Sequence, residues 1–255
     1  MHSSIQVLGK AAIACVMLAP LAARSNCEAL PSHATLKAAL AAAVTTETSG
    51  LDFHMWATVV DRDGVVCAVA FSGADRGAQW PGSRVISAQK ANTANAFSLD
   101  GLALSTANLD SAVQPGGSLF GLQESNVVDP GVAYSGPPAN YGTNKDPMVG
   151  KRIGGVNVFG GGLGLYGVGQ KVIGGVGVSG DTSCADHRIG WLVRKNLALD
   201  HMTGVGGVAA LFAGDPAHPD NIIYLAASEA PNGFKHPQCL NTGAIPATDL
   251  PAVQP

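Results

Sequence analysis

Serine, cysteine, aspartate and histidine side chains lie close together between residues 179 and 187, within the segment GVSGDTSCADHRIGWLVRKNL. Such side chains perform nucleophilic catalysis when a histidine acts as the base, or they ligate a metal ion. A base must approach its nucleophile to about 3 Å, and the two usually come from different parts of a fold. The chain also has no G-x-S-x-G motif. These neighbours in one helical turn therefore do not by themselves form a catalytic relay.

The same residues fit the beginning of a helix that follows a strand. Ser183 and Asp186 have the spacing of a capping box, in which a serine caps the helix and an acid follows three residues later. Asp186 would also lie near the positive end of the helix dipole, which favours a carboxylate. We therefore predict a helix that begins near Ser183 and ends near Leu199, with an architectural role for both polar residues.

The predicted helix has an apolar stripe and an opposite side that carries His187, Trp191 and Arg194. The stripe consists of Ile189, Leu192, Val193 and Leu197. A tryptophan that points away from the core needs a cover, because large exposed apolar groups most often mark contacts. We expect the cover to be a neighbouring subunit, the glycine-rich loop or tail of the same chain, or a ligand.

A second helix is predicted for the segment SRVISAQKANTANAFSL, with Ser83 as its cap and an end near Leu99. Its most apolar side contains a lysine, Lys90, among Ile86, Thr93 and Phe97. A buried ammonium group is costly unless it is paired. The position of Lys90 therefore calls for either a partner or a ligand.

Two interpretations of Lys90 remain open from the sequence. In the first, the side chain snorkels to solvent or pairs with Asp75 or another carboxylate. In the second, it is a cation that receives an anionic ligand, such as a carboxylate or a propionate. Asp75, Arg76 and Trp80 lie just upstream and would form the rim of the same pocket.

The pattern G-x-G-x-x-G occurs twice, at residues 162–167 and 175–180. A dinucleotide site needs this pattern within a βαβ unit of parallel strands. Here the strand before the second copy is the second arm of a predicted hairpin, and no Val/Ile-rich strand follows the helix closely. We therefore interpret these glycines as positions of close backbone packing or of close approach by a flat ligand.

The elements before the second helix are a helix and a hairpin. Ser32 is a plausible cap for a helix that stops at Gly50. Apolar runs at 53–60 and 65–71 flank Asp61-Arg62-Asp63-Gly64, where glycine suits the turn position with positive φ.

The remaining elements are a short helix, a second pair of strands and two irregular regions. The short helix is expected at 104–113, and the strands at about 162–166 and 171–178. Residues 114–151 are rich in glycine, proline, asparagine and serine and are predicted to be a long loop insertion. Residues 201–255 form an irregular extension. Neighbouring strands joined by tight turns, with helices around them, predict an α+β fold with an antiparallel sheet.

The first residues resemble a secretory signal peptide. Lys10 precedes an apolar run at 11–23, and small residues follow, so cleavage is expected within 23–26. The run is too short to span a bilayer, and no long apolar segment follows it. Charged residues make up 13% of the chain, the net charge is −3 and no basic patch stands out, so nucleic acid is not an expected partner.

Four cysteines remain after the leader: Cys27, Cys67, Cys184 and Cys239. An even number in an exported chain predicts two disulfides, with three possible pairings. We favour Cys27–Cys67 and Cys184–Cys239, because each pair would tie a chain end to the core. No C-x-x-C motif occurs, which leaves covalent c-type haem and a zinc ribbon unsupported.

Several of these segments, in order, resemble the GlcG/HbpS-like haem-binding family. They are the hairpin ATVVDRDGVVCAVAF, the lysine helix AQKANTANAF and the glycine-rich stretch GGLGLYGVGQKVIGGVGVSGDTSCADH. The resemblance covers residues 36–199 and indicates a family domain at 27–200. It implies a profilin- or PAS-like α-β sandwich that forms homo-oligomers and binds haem or a related tetrapyrrole. Exported members are associated with haem sensing or storage, which implies a periplasmic or secreted location.

The resemblance suggests which residues would contact haem. Lys90 belongs to a motif that the family shares. His187, beside Trp191, is our first candidate for an axial iron ligand, and His54 is the second. This chain departs from the family pattern in its 114–151 insertion, its cysteine-bearing tail and the sequence Gly161-Gly162-Leu163-Gly164, where a proline is usual.

Two other functions compete with haem binding. One is an enzyme that acts on a small anionic substrate held by Lys90 and the 75–80 loop. The other is a structural oligomer with Trp191 and the glycine-rich loops at its interfaces. Because the sequence shows no complete catalytic constellation, a binding protein is favoured over an enzyme.

Overall fold

A computed structural model describes residues 26–240 and 249–255 of the chain. The predicted signal peptide, residues 1–25, lies outside these residues. Among the helices that the structure describes, none is long and apolar enough to cross a membrane.

The elements follow one another in the order helix, hairpin, helix, irregular region, hairpin, helix. In chain order they are α1 (His33–Thr46), β1 (Trp56–Asp61), β2 (Val66–Phe71), α2 (Ser83–Phe97), β3 (Leu102–Ala103), α3 (Leu122–Ser125), α4 (Pro130–Ala133), β4 (Gly162–Gly167), β5 (Lys171–Ser179), α5 (Ser183–Asn196) and β6 (Gly206–Gly207). Ser32 caps α1 as predicted, with its side chain accepting a hydrogen bond from the Thr35 amide. Gly64 takes the positive φ expected of the first hairpin turn.

Four strands form one antiparallel sheet in the order β2-β1-β5-β4. The two hairpins meet at β1 and β5, where Trp56 lies opposite Ser179 and Thr58 opposite Gly177. A separate two-residue parallel pair joins β3 to β6. The predicted α+β class with an antiparallel sheet is confirmed.

Helices cover both faces of the sheet. Helices α1 and α5 pack on one face, where Ala57 and Val59 join the core with Leu36, Leu40 and Ile189. Helix α2 packs on the other face, where Trp56 and Val60 contact a second core with Val85, Ala88 and Ala91. Strand β1 is therefore buried on both sides, which explains its continuous apolar sequence.

The glycines of β5 bring α2 close to the sheet. A Cβ atom at Gly177 would collide with the carbonyl oxygen of Ser87, and one at Gly175 with that of Ala91. Both collisions are with helix backbone, which cannot move aside like a flexible side chain. The G-x-G-x-x-G pattern therefore serves close packing of a helix on a strand, one of the two roles predicted for it.

Three predicted helix details are wrong. The N-cap of α5 is Thr182, whose hydroxyl accepts a hydrogen bond from the Ala185 amide, so Ser183 is the first helical residue. Helix α2 begins after Gly82 without a side-chain cap, although Ser83 was expected to be its cap. The expected helix at 104–113 consists of two 3₁₀ turns, Thr106–Leu109 and Ser111–Val113, and the first of them has a capping box at Ser105.

Two disulfides join the predicted partners, Cys27 with Cys67 and Cys184 with Cys239. The first connects the beginning of the described chain to β2. The second connects the C-terminal extension to the first turn of α5.

Candidate functional site

Lys90 is fully buried and paired with Asp186, with 2.6 Å between its Nζ atom and Oδ2 of the carboxylate. It also donates to the carbonyl oxygen of Val178 at 3.0 Å. The other carboxylate oxygen of Asp186 accepts from the amides of Gly180 and Asp181 at 3.0 and 2.9 Å. This pairing matches the structural interpretation of Lys90, with Asp186 as the other carboxylate. It leaves no cation free there for an anionic substrate.

Burial dominates the electrostatics of this pair. It lowers the pKa of Lys90, while the attraction of Asp186 acts in the opposite direction. It raises the pKa of Asp186 to about 6, against the opposing attraction of Lys90. Asp186 is thus a structural counter-ion that joins α5 to α2, and it has no capping-box role.

His187 is also fully buried, and its Nε2 atom lies 3.0 Å from Oδ1 of Asn221. Burial lowers the pKa of His187 to about 4, so the ring is neutral near pH 7. Its Nδ1 atom has no hydrogen-bond partner among the described residues. Because the whole side chain is buried, a ligand would reach this nitrogen only if the residues around the ring moved.

Trp191 is buried by the extension of its own chain. Its Nε1 atom donates to the carbonyl oxygen of Pro251 at 3.0 Å, and its ring lies 5.6 Å from that of His218. The tail is therefore the cover that this tryptophan needed. Trp191 is thus covered within its own chain and does not present its ring to a neighbouring subunit in this structure.

The extension covers α5 along its length. Arg194 and Asp220 form a bidentate ion pair, both fully buried, with distances of 2.7 and 2.9 Å. Ser183 at the start of the helix contacts His236, and the adjacent Cys184 is bonded to Cys239. The face of α5 that carries His187 is therefore closed by residues 218–239 and 250–251.

An open groove lies elsewhere, beside the loop that follows β2. It has a volume of about 510 Å³ and is lined by Phe71, Ala74, Asp75, Arg76, Gly77, Ala139, Tyr141 and Thr143. A second cavity of about 520 Å³ shares Arg76, Gly77 and Tyr141 with it and is lined further by Trp56, Pro81, Gly82, Tyr134 and Pro138. Because the two share these three residues, we call them together the loop groove. These volumes are in the range of small-molecule sites.

Arg84 holds the insertion against α2 and so builds one wall of the loop groove. It forms a buried bidentate pair with Asp146, at 2.8 and 2.5 Å, and donates to the carbonyl oxygen of Ala133. Its guanidinium carbon lies 3.7 Å from the centre of the Tyr141 ring. The Arg84 guanidinium therefore packs against one face of the Tyr141 ring.

Charged groups surround the loop groove. Arg76 is exposed and donates to the carbonyl oxygen of Pro138 at 3.3 Å. The ammonium group of Lys37 lies 5.2 Å from the centre of the Phe71 ring. Two cations thus stand near an aromatic surface, and Asp75 is the acid that lines it.

The predicted site residues divide into two groups. Asp75 and Arg76 line the loop groove, Trp80 lines a smaller cavity of about 190 Å³ that shares Gly77 and Pro81 with it, and His54 bonds the nearby Ser72. Lys90, His187 and Trp191 are buried near α5, where Lys90 and Asp186 join it to α2. The structure therefore does not bring the seven residues into one pocket.

Sequence reasoning missed the residues that the insertion supplies to the loop groove. Arg84 lies 57 positions before Tyr141, whose ring it contacts, and 62 positions before Asp146, its ion-pair partner. No periodic pattern links an irregular loop to a helix over such a distance. The only signal was the prediction of a long insertion at residues 114–151.

Comparisons with known proteins find a family model and several solved structures that are similar to this chain. The model of the family described as "Haem degrading protein HbpS-like" matches residues 32–191. The structure of Klebsiella pneumoniae protein ORFY is 27% identical, covering 66% of this chain and 90% of its own, with a TM-score of 0.43. A comparison with curated protein sequences finds no match.

Two further solved structures are more distant in sequence. A PduOC:haem complex is 23% identical over 66% of this chain and 94% of its own, with a TM-score of 0.45. A double mutant of Streptomyces reticuli HbpS is 16% identical over 75% of this chain and 99% of its own, with a TM-score of 0.42.

Proposed function

The chain belongs to the HbpS-like haem-degrading protein family, and from this membership we propose that it is an exported protein that binds haem in the loop groove. The observation that carries the location is the groove itself, an open surface that combines aromatic walls with nearby cations. The face of α5, in contrast, is closed by the extension.

The residues of the loop groove fit the chemistry of haem. The macrocycle is flat and apolar, and the rings of Phe71 and Tyr141 offer it flat apolar surface. The propionates are anionic, and Arg76 and Lys37 offer guanidinium and ammonium groups. These residues would bind and orient the group, and the apolar walls would keep water from its faces.

Tyr141 would offer a phenol oxygen to the iron, as would Tyr134, the other tyrosine that lines the groove. Tyrosine is one of the side chains that hold haem iron in proteins. The Tyr141 hydroxyl donates to the carbonyl oxygens of Tyr134 and Ser135 at 3.3 and 3.4 Å, which is long for such bonds. Exchanging these two hydrogen bonds for a bond to iron would therefore cost the Tyr141 hydroxyl little. The role proposed for His187 stays a prediction, because it requires the extension to move.

Export and a storage or sensing role complete the proposal. The two disulfides support a periplasmic or secreted location, because such bonds persist in oxidising compartments. Haem bound at an open groove would be released or passed on more easily than haem in a closed cavity, which suits storage or sensing. The homo-oligomer implied by the family resemblance is part of the same proposal.

A hemin titration of the oxidised protein tests haem binding. We expect a saturable Soret shift at about one haem per chain. Arg76→Glu should weaken the affinity about tenfold or more, because it replaces a cation that faces the propionates by an anion. The same charge change at the exposed Lys171, outside the groove, is the matched control and should leave the affinity unchanged. A titration without saturation would contradict the proposal.

A further inference from the structure

Ser183 and His236 meet at the start of α5, with 2.7 Å between the serine Oγ atom and the histidine Nε2 atom. They are 53 positions apart, so the histidine comes from the extension and not from the helical turn of the serine. We propose that Ser183 is a nucleophile with His236 as its base, and that this dyad accepts acyl groups from small esters. Nothing in the haem-binding proposal depends on it.

The hydrogen bonds of His236 set the tautomer that a base requires. Its Nδ1 atom lies 2.6 Å from the carbonyl oxygen of Pro237, which can only accept a hydrogen bond. Nδ1 therefore carries the proton, and the lone pair of Nε2 accepts from the Ser183 hydroxyl. A nucleophile beside a base that a third group orients is the arrangement that activates serine in unrelated folds.

Burial disfavours the charged form of the His236 ring. The side chain is only 2% exposed, and burial lowers its pKa below the usual range. The charge of Asp110 raises the pKa of His236, and the charge of Lys90 lowers it, as burial does. Lys90 is itself paired with Asp186. The contact of Nδ1 with the Pro237 carbonyl oxygen leaves Nε2 as the nitrogen that faces the serine as an acceptor.

A backbone amide is aimed at the nucleophilic oxygen. The Gly160 amide donates to the Oγ atom of Ser183 at 2.6 Å. Ser183 is also the first residue of a helix of 14 residues, whose positive end favours a developing negative charge. Both effects stabilise the serine oxygen as it gives up its proton.

The Cys184–Cys239 disulfide holds the two partners together. Cys184 follows Ser183 directly, and Cys239 lies three positions after His236. The bond therefore fixes the extension against the first turn of α5 at the point where the dyad forms.

Ser183 is half-buried, whereas His236 is almost fully buried behind it. Phe159, one position before Gly160, is 50% exposed. Small esters are the substrate class that a serine nucleophile with a histidine base would accept.

The reaction consists of two balanced steps. Oγ of Ser183 bonds to the acyl carbon while its proton passes to Nε2 of His236, and the ester C–O bond breaks as the alcohol leaves with that proton. Water then attacks the acyl-serine, gives its proton to Nε2 and releases the carboxylic acid, and the proton returns to the Ser183 oxygen. The net reaction converts ester and water to acid and alcohol.

A fluorophosphonate probe tests the dyad in the oxidised, full-length protein. The Ser183 oxygen would form a bond to phosphorus, the P–F bond would break, and hydrogen fluoride would leave. We expect a covalent adduct on the Ser183 peptide by mass spectrometry. Ser183→Ala should abolish the adduct, and His236→Ala should slow labelling about 100-fold or more.

Ser72 provides the matched control, because its hydroxyl lies 3.1 Å from Nδ1 of the exposed His54. Ser72→Ala should label at the wild-type rate. If His236→Ala fails to fold, labelling of Ser183 in the wild-type protein still tests the proposal. Folded wild-type protein without an adduct on Ser183, or with equal labelling after heat denaturation, would overturn the proposal.

Discussion

Replacing Lys90 by methionine should lower the free energy of unfolding by about 3–5 kcal/mol, the range found when one partner of a buried ion pair is removed. The reason is that Asp186 would remain buried at α5 without the cation that lies 2.6 Å away. The volume of the side chain changes little, so a cavity does not explain the loss. Urea unfolding followed by tryptophan fluorescence measures it.

The pH dependence of this loss provides a second check. The folded-state pKa of Asp186 is already raised by burial to about 6, and removal of Lys90 raises it further. A carboxyl group whose folded pKa lies above its unfolded pKa destabilises the fold most at high pH. The loss in Lys90→Met should therefore shrink as pH falls towards about 6 and change little below it, because Asp186 is then protonated in both folded proteins.

Lys171→Met is the control for the ion-pair argument. Lys171 and Asp100 also form a pair, at 2.7 Å, but both side chains are more than half exposed. We expect Lys171→Met to change the free energy of unfolding little, because exposed ion pairs contribute little to stability. A similar loss in both variants would contradict the role assigned to the Lys90–Asp186 pair.

Replacing Cys184 and Cys239 by serine should cost about 4 kcal/mol of stability and release the extension from α5. The estimate follows from the loss of a crosslink between residues 55 positions apart. Released, the extension should be cleaved by trypsin at Lys235 while the sheet core resists. Limited proteolysis with mass spectrometry shows where cleavage begins.

The Cys27–Cys67 bond is the control for this experiment. It links residues 40 positions apart, so its removal should cost nearly as much stability. It does not hold the extension, and cleavage in that variant should not begin at Lys235. Equal protection of Lys235 in both serine variants would show that the other contacts of the extension suffice.

Local patterns predicted the elements that depend on neighbours in sequence. The first hairpin followed from two apolar runs around Gly64, and the cap of α1 followed from Ser32. The α5 cap was misplaced by one residue because Thr182 and Ser183 are both good caps, and only the strand end decides between them.

Long-range contacts could not be predicted in the same way. The sequence showed that Lys90 needed a partner, but Asp186 lies 96 positions away. It showed that Trp191 needed a cover, but the covering residues belong to a tail without periodicity. The same tail brings His236 to Ser183, which is why a search within one helical turn found no base.

The location of haem is the central claim, and the hemin titration of two variants tests it most directly. Tyr141→Phe removes the proposed iron donor from the loop groove, and His187→Gln changes the buried ring near α5. We predict a displaced or lost Soret band for Tyr141→Phe and an unchanged band for His187→Gln. A band that moves only in His187→Gln would contradict the groove and place the iron beneath the extension.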